Sequence, residues 1–256
     1  MPKKIGPVTS ILTLLDPAWE TNGYQHVIER LMGFIPPEET ADKSFQLSLL
    51  KNRAVILFHE DDERRQAIDL INAVKQEKSM LLYNSEACQL YTLVRDTAKI
   101  PGDIAEVGVF QGASAKLICE AKSERRLLLF DTFAGLPEVT ERDQGFETGQ
   151  FGALLPEVRK YLAGYSGVEF HPGLFPSSAA PVSDRRFSLV HLDVDLYEST
   201  VSCLNFFYPR MNPGGAILSH DYPAAAGVTQ AINDFFAPLP EAVIRLSGRQ
   251  CLIIKH

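Results

Sequence analysis

The sequence has few cysteines, and none of them are paired at the spacing of a metal site. The four are dispersed and form no CxxC motif; they are Cys88, Cys119, Cys203 and Cys251. This pattern argues against a zinc ribbon and against a disulfide-rich scaffold. The sequence also lacks an apolar run near the roughly 20 residues that span a bilayer. The amino-terminal segment has no small-residue cleavage site, so no signal peptide is predicted. We therefore expect a cytoplasmic protein without a membrane segment.

An excess of basic residues is also missing. Lysine and arginine number 25 and aspartate and glutamate 32, which gives a formal charge of −7 and a pI near 5.4. A general nucleic-acid binder carries a basic surface, so we expect no nucleic-acid partner. The hydrophobic fraction of 45% and the charged fraction of 22% in 256 residues are typical of globular proteins. The composition thus excludes wholesale disorder and predicts an ordinary globular protein.

The residue pattern changes near Pro101. Residues 1–100 have helical spacing, whereas residues 101–256 alternate short apolar runs with helical segments. Such alternation predicts an α/β fold with a mainly parallel sheet and helices on both faces. The predicted helices before Pro101 are Trp19–Phe34, Phe45–Leu57, Asp62–Val74 and Ser79–Ile100. The predicted strands are Ile104–Val109, Leu127–Phe130, Val168–His171, Phe187–Asp193 and Gly215–Ser219, followed by a hairpin of Ala242–Leu246 and Cys251–Lys255. Ligands of such sheets bind at the carboxyl ends of the strands.

The first two of these strands end in a pattern that indicates a nucleoside. Gly108 and Gly112 follow Glu106 with G-x-x-x-G spacing, which differs from the GxGxxG of dinucleotide folds. A carboxylate at 106 would repel a pyrophosphate but suits a ligand with amino and hydroxyl groups. Asp131, about 20 residues further on, is placed to accept the hydroxyls of a ribose. The two features predict a cofactor that contains a nucleoside; a tight turn without a ligand is the alternative.

The later strands end in acidic residues and histidines. In HLDVDLYEST, alternation along a strand puts His191, Asp193 and Asp195 on one side. The next strand ends in SHDY, with His220 and Asp221. If the strands are neighbours, these groups form a candidate metal site: carboxylates suit magnesium or calcium, and an imidazole favours zinc, manganese or iron. The alternative is that some of them only cap helices or form turns.

Five segments together resemble the macrocin O-methyltransferase (TylF-like) family. They are AEVGVFQGAS, LLLFDTFAGLP, HLDVDLYEST, NPGGAILSHDY and GVTQAINDFF, in the family's order over about residues 80–256. The resemblance implies a Rossmann-like class I methyltransferase fold with a mainly parallel seven-stranded sheet. It also implies S-adenosylmethionine as cofactor and methyl transfer to a sugar hydroxyl of a secondary metabolite. Residues 1–100 would then be a helical extension that closes over the acceptor, and residues 101–256 the cofactor-binding domain of a homo-oligomer.

The resemblance assigns cofactor-binding residues one by one. Glu106 and Gly108 match the turn that cradles the methionine end of the cofactor. Asp131 matches the aspartate that binds the ribose hydroxyls, and Thr132 stands where the family has serine. Gly173, in HPGLFP, matches an element that shapes the adenine edge.

The resemblance also implies a metal site, with one departure. Asp193 matches the first aspartate of D-x-D-L-Y, which binds a divalent metal beside the reacting hydroxyl. His220 and Asp221 occupy the family's D-D-Y position, so histidine replaces one aspartate. Magnesium is expected, with manganese or zinc open because of His220. Asp193 and His220 are the candidate catalytic residues, and a metal-free reaction in which His220 takes the proton is a further possibility.

Three other interpretations compete with methyl transfer. A metal-dependent hydrolase would use the His–Asp cluster for catalysis, and its glycine turn would have only a structural role. A nicotinamide-dependent dehydrogenase is disfavoured by the glycine spacing. A non-catalytic relative would bind the cofactor without the metal. The polar loop at 138–150 predicts a mobile lid, with a plain solvated loop as its alternative.

Overall fold

The computed structural model describes residues 62–256 and, before them, the short strands β1 (Leu47–Ser48) and β2 (Leu57–Phe58). These strands pair antiparallel, with Leu47 opposite Phe58. The predicted helix Phe45–Leu57 is therefore wrong at these residues. Alternating apolar and polar residues at 45–49 and a β-branched, apolar run at 55–58 favour extended backbone instead. The predicted helix Trp19–Phe34 lies outside the described residues.

The remaining elements alternate along the chain. The helices are α1 (Asp62–Glu77), α2 (Asn84–Asp96), α3 (Ala113–Ala121), α4 (Leu155–Tyr161), α5 (Tyr197–Phe207) and α6 (Ala226–Phe236). The strands are β3 (Asp103–Val107), β4 (Leu127–Asp131), β5 (Val168–Pro172), β6 (Phe187–Leu192), β7 (Met211–His220), β8 (Ile244–Arg245) and β9 (Gln250–Ile254). Within the described residues, no helix combines the length and apolarity needed to cross a bilayer.

Strands β3 to β9 form one seven-stranded sheet in the order β5-β4-β3-β6-β7-β9-β8. The first five strands of this order are parallel, and β9 runs antiparallel to both β7 and β8. The predicted α/β fold class and the terminal hairpin are confirmed. The strand order reverses between β3 and β6, and sheets of this kind bind ligands at such a switch point.

Helices cover both faces of the sheet, and β4 shows how the sequence directs this. Leu127 and Leu129 of this buried strand pack into one apolar cluster, while Leu128 and Phe130 pack into the other. Residues from the later part of α1, from α2 and from α3 complete the first cluster, and residues from α5 and α6 complete the second. Central parallel strands read as continuous apolar runs for this reason.

The compact unit that contains the sheet begins before Pro101. It comprises Asp69–His256, and the fully buried Ile71 and Leu90 belong to the same core as Leu129. Residues 69–100 thus pack as part of the compact unit that contains the sheet. Helix α2 is shorter than the predicted Ser79–Ile100. The role of residues 1–100 as a cap over the acceptor stays a prediction.

The packing of α2 can be tested by truncating one core side chain. Leu90→Ala should lower the free energy of unfolding by about 2–5 kcal/mol, because it leaves a cavity in the core. The matched control is Leu154→Ala, whose side chain is 67% exposed and whose loss should cost little. Urea unfolding measures both. Equal effects of the two substitutions would contradict the inclusion of α2 in the core.

Candidate active site

The carboxyl ends of β3, β4, β6 and β7 surround one cavity of about 1180 Å³, including its open mouth. Seven of the eight predicted site residues line it. They are Gly108, Asp131, Thr132, Gly173, Asp193, His220 and Asp221.

The glycine turn after β3 lies against the chain that follows β6. Gly108 has a φ of +90°, and a Cβ at this position would lie 1.8 Å from the carbonyl oxygen of Asp193. Only glycine permits this approach. The amide of Asp193 donates to the Val107 carbonyl at 2.9 Å, which fixes the two loops to each other. The predicted cofactor turn and the predicted metal ligand are therefore held side by side.

Asp131 ties the same turn to the end of β4. Its Oδ2 accepts hydrogen bonds from the amides of Val109 at 2.7 Å and Phe110 at 2.8 Å, and its Oδ1 accepts one from Phe133 at 2.6 Å. An ionised carboxylate has about four acceptor positions. Asp131 therefore keeps capacity for a hydroxyl of a ligand in the cavity.

Thr132 and Gly173 shape the wall near Asp131. The Thr132 hydroxyl donates to the Gly135 carbonyl at 2.6 Å, so its hydrogen is already bonded within the turn. The Gly173 amide donates to the Asp131 carbonyl at 2.9 Å, and its φ of +126° suits a residue without a side chain. Beside it, the His171 ring stacks on Phe130 at 4.8 Å. Both predicted residues thus lie in the wall of the cavity beside Asp131.

Glu106 is the predicted site residue that the structure does not bring to the cavity. Its fully buried Oε1 lies 3.0 Å from Nδ1 of His191, its neighbour across the β3–β6 pair. Burial raises the pKa of Glu106, although His191 opposes this shift. The sequence also predicted that His191, Asp193 and Asp195 lie on one side of a strand, and the structure does not have this arrangement. Because β6 ends at Leu192, only the two aspartates reach the cavity.

His220 lies between two carboxylates at the end of β7. Its Nδ1 is 2.9 Å from Oδ1 of Asp193 and 3.3 Å from Oδ2 of Asp221. Neither contact has hydrogen-bond alignment, so this buried nitrogen lacks a hydrogen-bond partner. Burial alone would lower the pKa of His220, but the carboxylates of Asp193, Asp221 and Glu86 raise it well above its usual value.

Asp195 completes the acidic group. Burial, together with the charges of Asp193 and Asp221, raises the pKa of Asp195 to about 9. It therefore keeps its proton at neutral pH. The side chain of Asp193 is the most exposed among Asp193, His220 and Asp221, at 24%. Asp193 is therefore the member of this cluster that is most accessible from the cavity.

The cluster fits a divalent metal. Asp193, His220 and Asp221 each offer one ligand atom, and the three atoms lie within 4.8 Å of one another. The orphaned Nδ1 points to the same space as the two oxygens. One nitrogen with two oxygens suits manganese, zinc or iron better than magnesium, which prefers oxygen alone. Either a proton or a metal on Nδ1 would place positive charge between the two carboxylates.

Two residues behind this cluster were missed in the sequence. Oε2 of Glu86, in α2, lies 3.4 Å from Nε2 of His220. Arg249 Nη1 lies 3.4 Å from Oδ1 of Asp221. The predicted hairpin could have indicated that Arg249 lies near the site. Its last strand runs antiparallel, so that strand begins at the edge of the sheet where the parallel strands end. Glu86 has no such signal beyond being an acidic residue in the first turn of a helix.

The loop at 138–150 is anchored by one buried carboxylate. Asp143 Oδ1 accepts a hydrogen bond from the amide of Tyr197, the first residue of α5, at 2.7 Å. Its Oδ2 accepts one from the Thr140 hydroxyl at 2.7 Å. Phe146 and Gln150 of this loop line the cavity. The predicted lid is thus tied to the helix that follows the Asp193 loop.

The family model described as macrocin O-methyltransferase (TylF) matches residues 41–239. The chain belongs to this family. Among curated relatives, it is 32% identical over 153 residues to the 8-demethyl-8-(2,3-dimethoxy-alpha-L-rhamnosyl)-tetracenomycin-C 4'-O-methyltransferase of Streptomyces olivaceus, covering 53% of this chain and 58% of that protein. It is 27% identical over 155 residues to the demethyldecarbamoylnovobiocin O-methyltransferase of Streptomyces niveus, covering 54% and 59%. The chain spans a little over half the length of these relatives.

Solved structures share the TylF-family chain's fold. The O-methyltransferase NovP matches with a TM-score of 0.58 and 24% identity, covering 66% of this chain and 78% of that one. The calicheamicin methyltransferase CalS11 matches with a TM-score of 0.55 and 18% identity, covering 99% and 93%. An O-methyltransferase from Bacillus cereus in complex with SAH matches with a TM-score of 0.51 and 15% identity, covering 76% and 92%. At these identities the likeness shows the class I methyltransferase fold.

The anchor of the lid loop can be tested by proteolysis. Asp143→Ala removes the capping acceptor of α5, so the free energy of unfolding should fall by about 1 kcal/mol. Cleavage by trypsin after Arg142 should become faster. The control is Glu141→Ala, which removes an exposed carboxylate of the same loop. Equal cleavage of the two variants would contradict an anchoring role for Asp143.

Proposed function

We propose that this protein is an S-adenosylmethionine-dependent O-methyltransferase that acts on a hydroxyl of a small molecule, namely a sugar of a secondary metabolite. The observation that carries the proposal is a single cavity with a nucleoside-type aspartate, Asp131, and an acidic cluster, Asp193–His220–Asp221, in its lining. Membership of the family supports methyl transfer. The names of the Streptomyces relatives support an acceptor that belongs to an antibiotic, and one of them names a rhamnosyl group.

The cofactor half of the cavity would be built from backbone and one carboxylate. Asp131 would accept the ribose hydroxyls, with Gly108 and Gly173 allowing close approach of the ligand to the chain. Glu106 would act from beneath the surface of the cavity, through the turn that it precedes, rather than by direct contact. When bound, S-adenosylmethionine supplies a methyl group on a positively charged sulfur. The solved relative from Bacillus cereus, which holds SAH, supports this cofactor.

The acceptor half would align a hydroxyl and remove its proton. An alcohol is a poor nucleophile, so it needs alignment with the methyl group and a base. Asp193 would accept the proton, because it is the more exposed of the two carboxylates of the cluster. A divalent cation held by Asp193, His220 and Asp221 would orient neighbouring hydroxyls and lower the pKa of one of them.

The other predicted interpretations gain no support. The family and the relatives named above are all described as methyltransferases, and His220 as the base of a metal-free reaction stays a prediction. The metal requirement, the homo-oligomer and the cytoplasmic location stay predictions.

The proposed reaction is tested by label transfer from methyl-labelled S-adenosylmethionine to rhamnosides with free hydroxyl groups. Labelled sugar and stoichiometric SAH are the expected products, with magnesium, manganese and zinc compared in separate reactions. Failure of SAH to bind under all metal conditions would overturn the proposal.

Asp193 should be required for turnover but not for cofactor binding. Asp193→Ala removes the proposed base, and turnover should fall by about 10²- to 10⁴-fold. The affinity for SAH, measured by titration calorimetry, should change by less than about threefold, since its expected contacts lie at Asp131. A parallel loss of SAH affinity would contradict this division of roles.

Asp131 should show the opposite result. Asp131→Asn keeps one acceptor oxygen for the turn but removes the charge. Hydrogen bonds to charged groups contribute about 1.5–3 kcal/mol, so SAH affinity should fall roughly 10- to 100-fold. The metal affinity of the Asp193 cluster should stay as in the unmodified protein. Unchanged SAH affinity would place the ribose elsewhere.

A further inference from the structure

We propose that Glu86 is a positioning residue of this site, which holds the His220 ring through Nε2 so that Nδ1 faces Asp193 and Asp221. The inference rests on the proposed function, and it concerns a residue of α2 that no sequence motif marks. Glu86 does not line the cavity. It would act on the acceptor half only through His220.

The Glu86 carboxylate is fully buried, and its position is fixed by backbone. Its Oε2 accepts a hydrogen bond from the amide of Tyr83 at 2.7 Å, and its Oε1 accepts one from the amide of Arg249 at 2.7 Å. A Cβ at Gly248 would lie 2.6 Å from Oε1. The carboxylate therefore sits at a junction of α2 and the β8–β9 hairpin, with no free space to move into on the hairpin side.

From this position Glu86 contacts the far nitrogen of the His220 ring, at 3.4 Å. The same oxygen, Oε2, accepts the Tyr83 amide, so it is held in place as an acceptor for an N–H at Nε2. An imidazole ring turned over would put carbon against that acceptor. The contact therefore selects one ring orientation, with Nδ1 towards the two aspartates.

This arrangement has a recognised chemical use. Histidines that bind metals usually donate their second ring N–H to a carboxylate, which fixes the ring and strengthens the ligand. Glu86 behind and Asp193 with Asp221 in front would form such a set around His220. Charge also links Glu86 to the residue at position 220. A carboxylate in place of the His220 imidazole would lie close to Glu86 and be repelled by it. Glu86 and His220 should therefore behave as a coupled pair.

The test is a double-mutant cycle in the full-length protein. The variants are Glu86→Gln, His220→Asp and the double substitution. Titration calorimetry measures the affinities for Mn²⁺ and Zn²⁺, and SAH affinity is measured in parallel. Glu86→Gln alone should weaken metal binding roughly 10- to 100-fold with little change in SAH affinity. In the His220→Asp background the same substitution should leave metal affinity unchanged or raise it, because it removes repulsion.

A matched control separates positioning from general stability. Glu241 is a second glutamate with a fully buried side chain, and it pairs with Lys255 at 2.7 Å outside the cavity lining. Glu241→Gln should lower the free energy of unfolding without changing metal affinity. An equal metal-affinity loss from Glu86→Gln in both His220 backgrounds, or no loss in either, would overturn the proposal.

If the unmodified protein binds neither Mn²⁺ nor Zn²⁺, a spectroscopic measurement tests the positioning role of Glu86 instead. Nitrogen-15 NMR of the His220 ring should show a protected Nε2–H signal that Glu86→Gln shifts or broadens. An unchanged signal would overturn the proposal. Failure of SAH to bind the unmodified protein would instead count against the proposed function, and the ring signal would still report on Glu86.

Discussion

The carboxyl end of β3 touches the chain that leaves β6, and the missing side chain at Gly108 is what allows it. A Cβ there would overlap the carbonyl oxygen of Asp193, while the Asp193 amide is bonded to Val107. This contact sets the distance between the two halves of the cavity. The turn before α3 and the loop before α5 cannot separate without breaking the pairing of β3 with β6. Asp131 then adds a third strand end, since its carboxylate holds the amides of the same turn.

Charge balance is the second constraint on the site. Asp193, Asp195 and Asp221 would repel one another strongly in a buried setting. In the structure the pKa of Asp195 is raised to about 9, Arg249 lies beside Asp221, and His220 lies between Asp193 and Asp221. A proton and a metal would be alternatives at Nδ1 of His220. Either one would place positive charge between Asp193 and Asp221, next to the space proposed for the acceptor.

Much of the sheet was predictable from the sequence, because its central strands are short buried runs between glycine, proline and acidic residues. The strand-end residues Asp131, Asp193 and Asp221 were predictable for the same reason, since topology alone brings parallel strand ends together. The positions of His191, Asp193 and Asp195 relative to one another were not predictable, because side chains alternate only within a strand and β6 ends at Leu192. The burial of Glu106 was not predictable either, because it lies one residue inside β3 and its side chain contacts His191 on the neighbouring strand.

Glu86 and the limits of the domain could not be predicted from local pattern. Helix α2 has an ordinary amphipathic sequence, and only the long-range contact with β7 and the hairpin gives Glu86 its place. The antiparallel β1–β2 pair was mistaken for helix because short apolar runs suit either state. Such features depend on partners far away in the chain, which a single sequence does not reveal.

The central claim is that one cavity holds a nucleoside cofactor at Asp131 and the reacting hydroxyl at Asp193. A crystal structure with SAH and Mn²⁺, using the anomalous signal of manganese, tests it most directly. The account predicts ribose hydroxyls on the Asp131 carboxylate and manganese among Asp193, Nδ1 of His220 and Asp221, with the sulfur of SAH turned towards the metal. SAH bound outside this cavity, or with its sulfur facing away from Asp193, would contradict it.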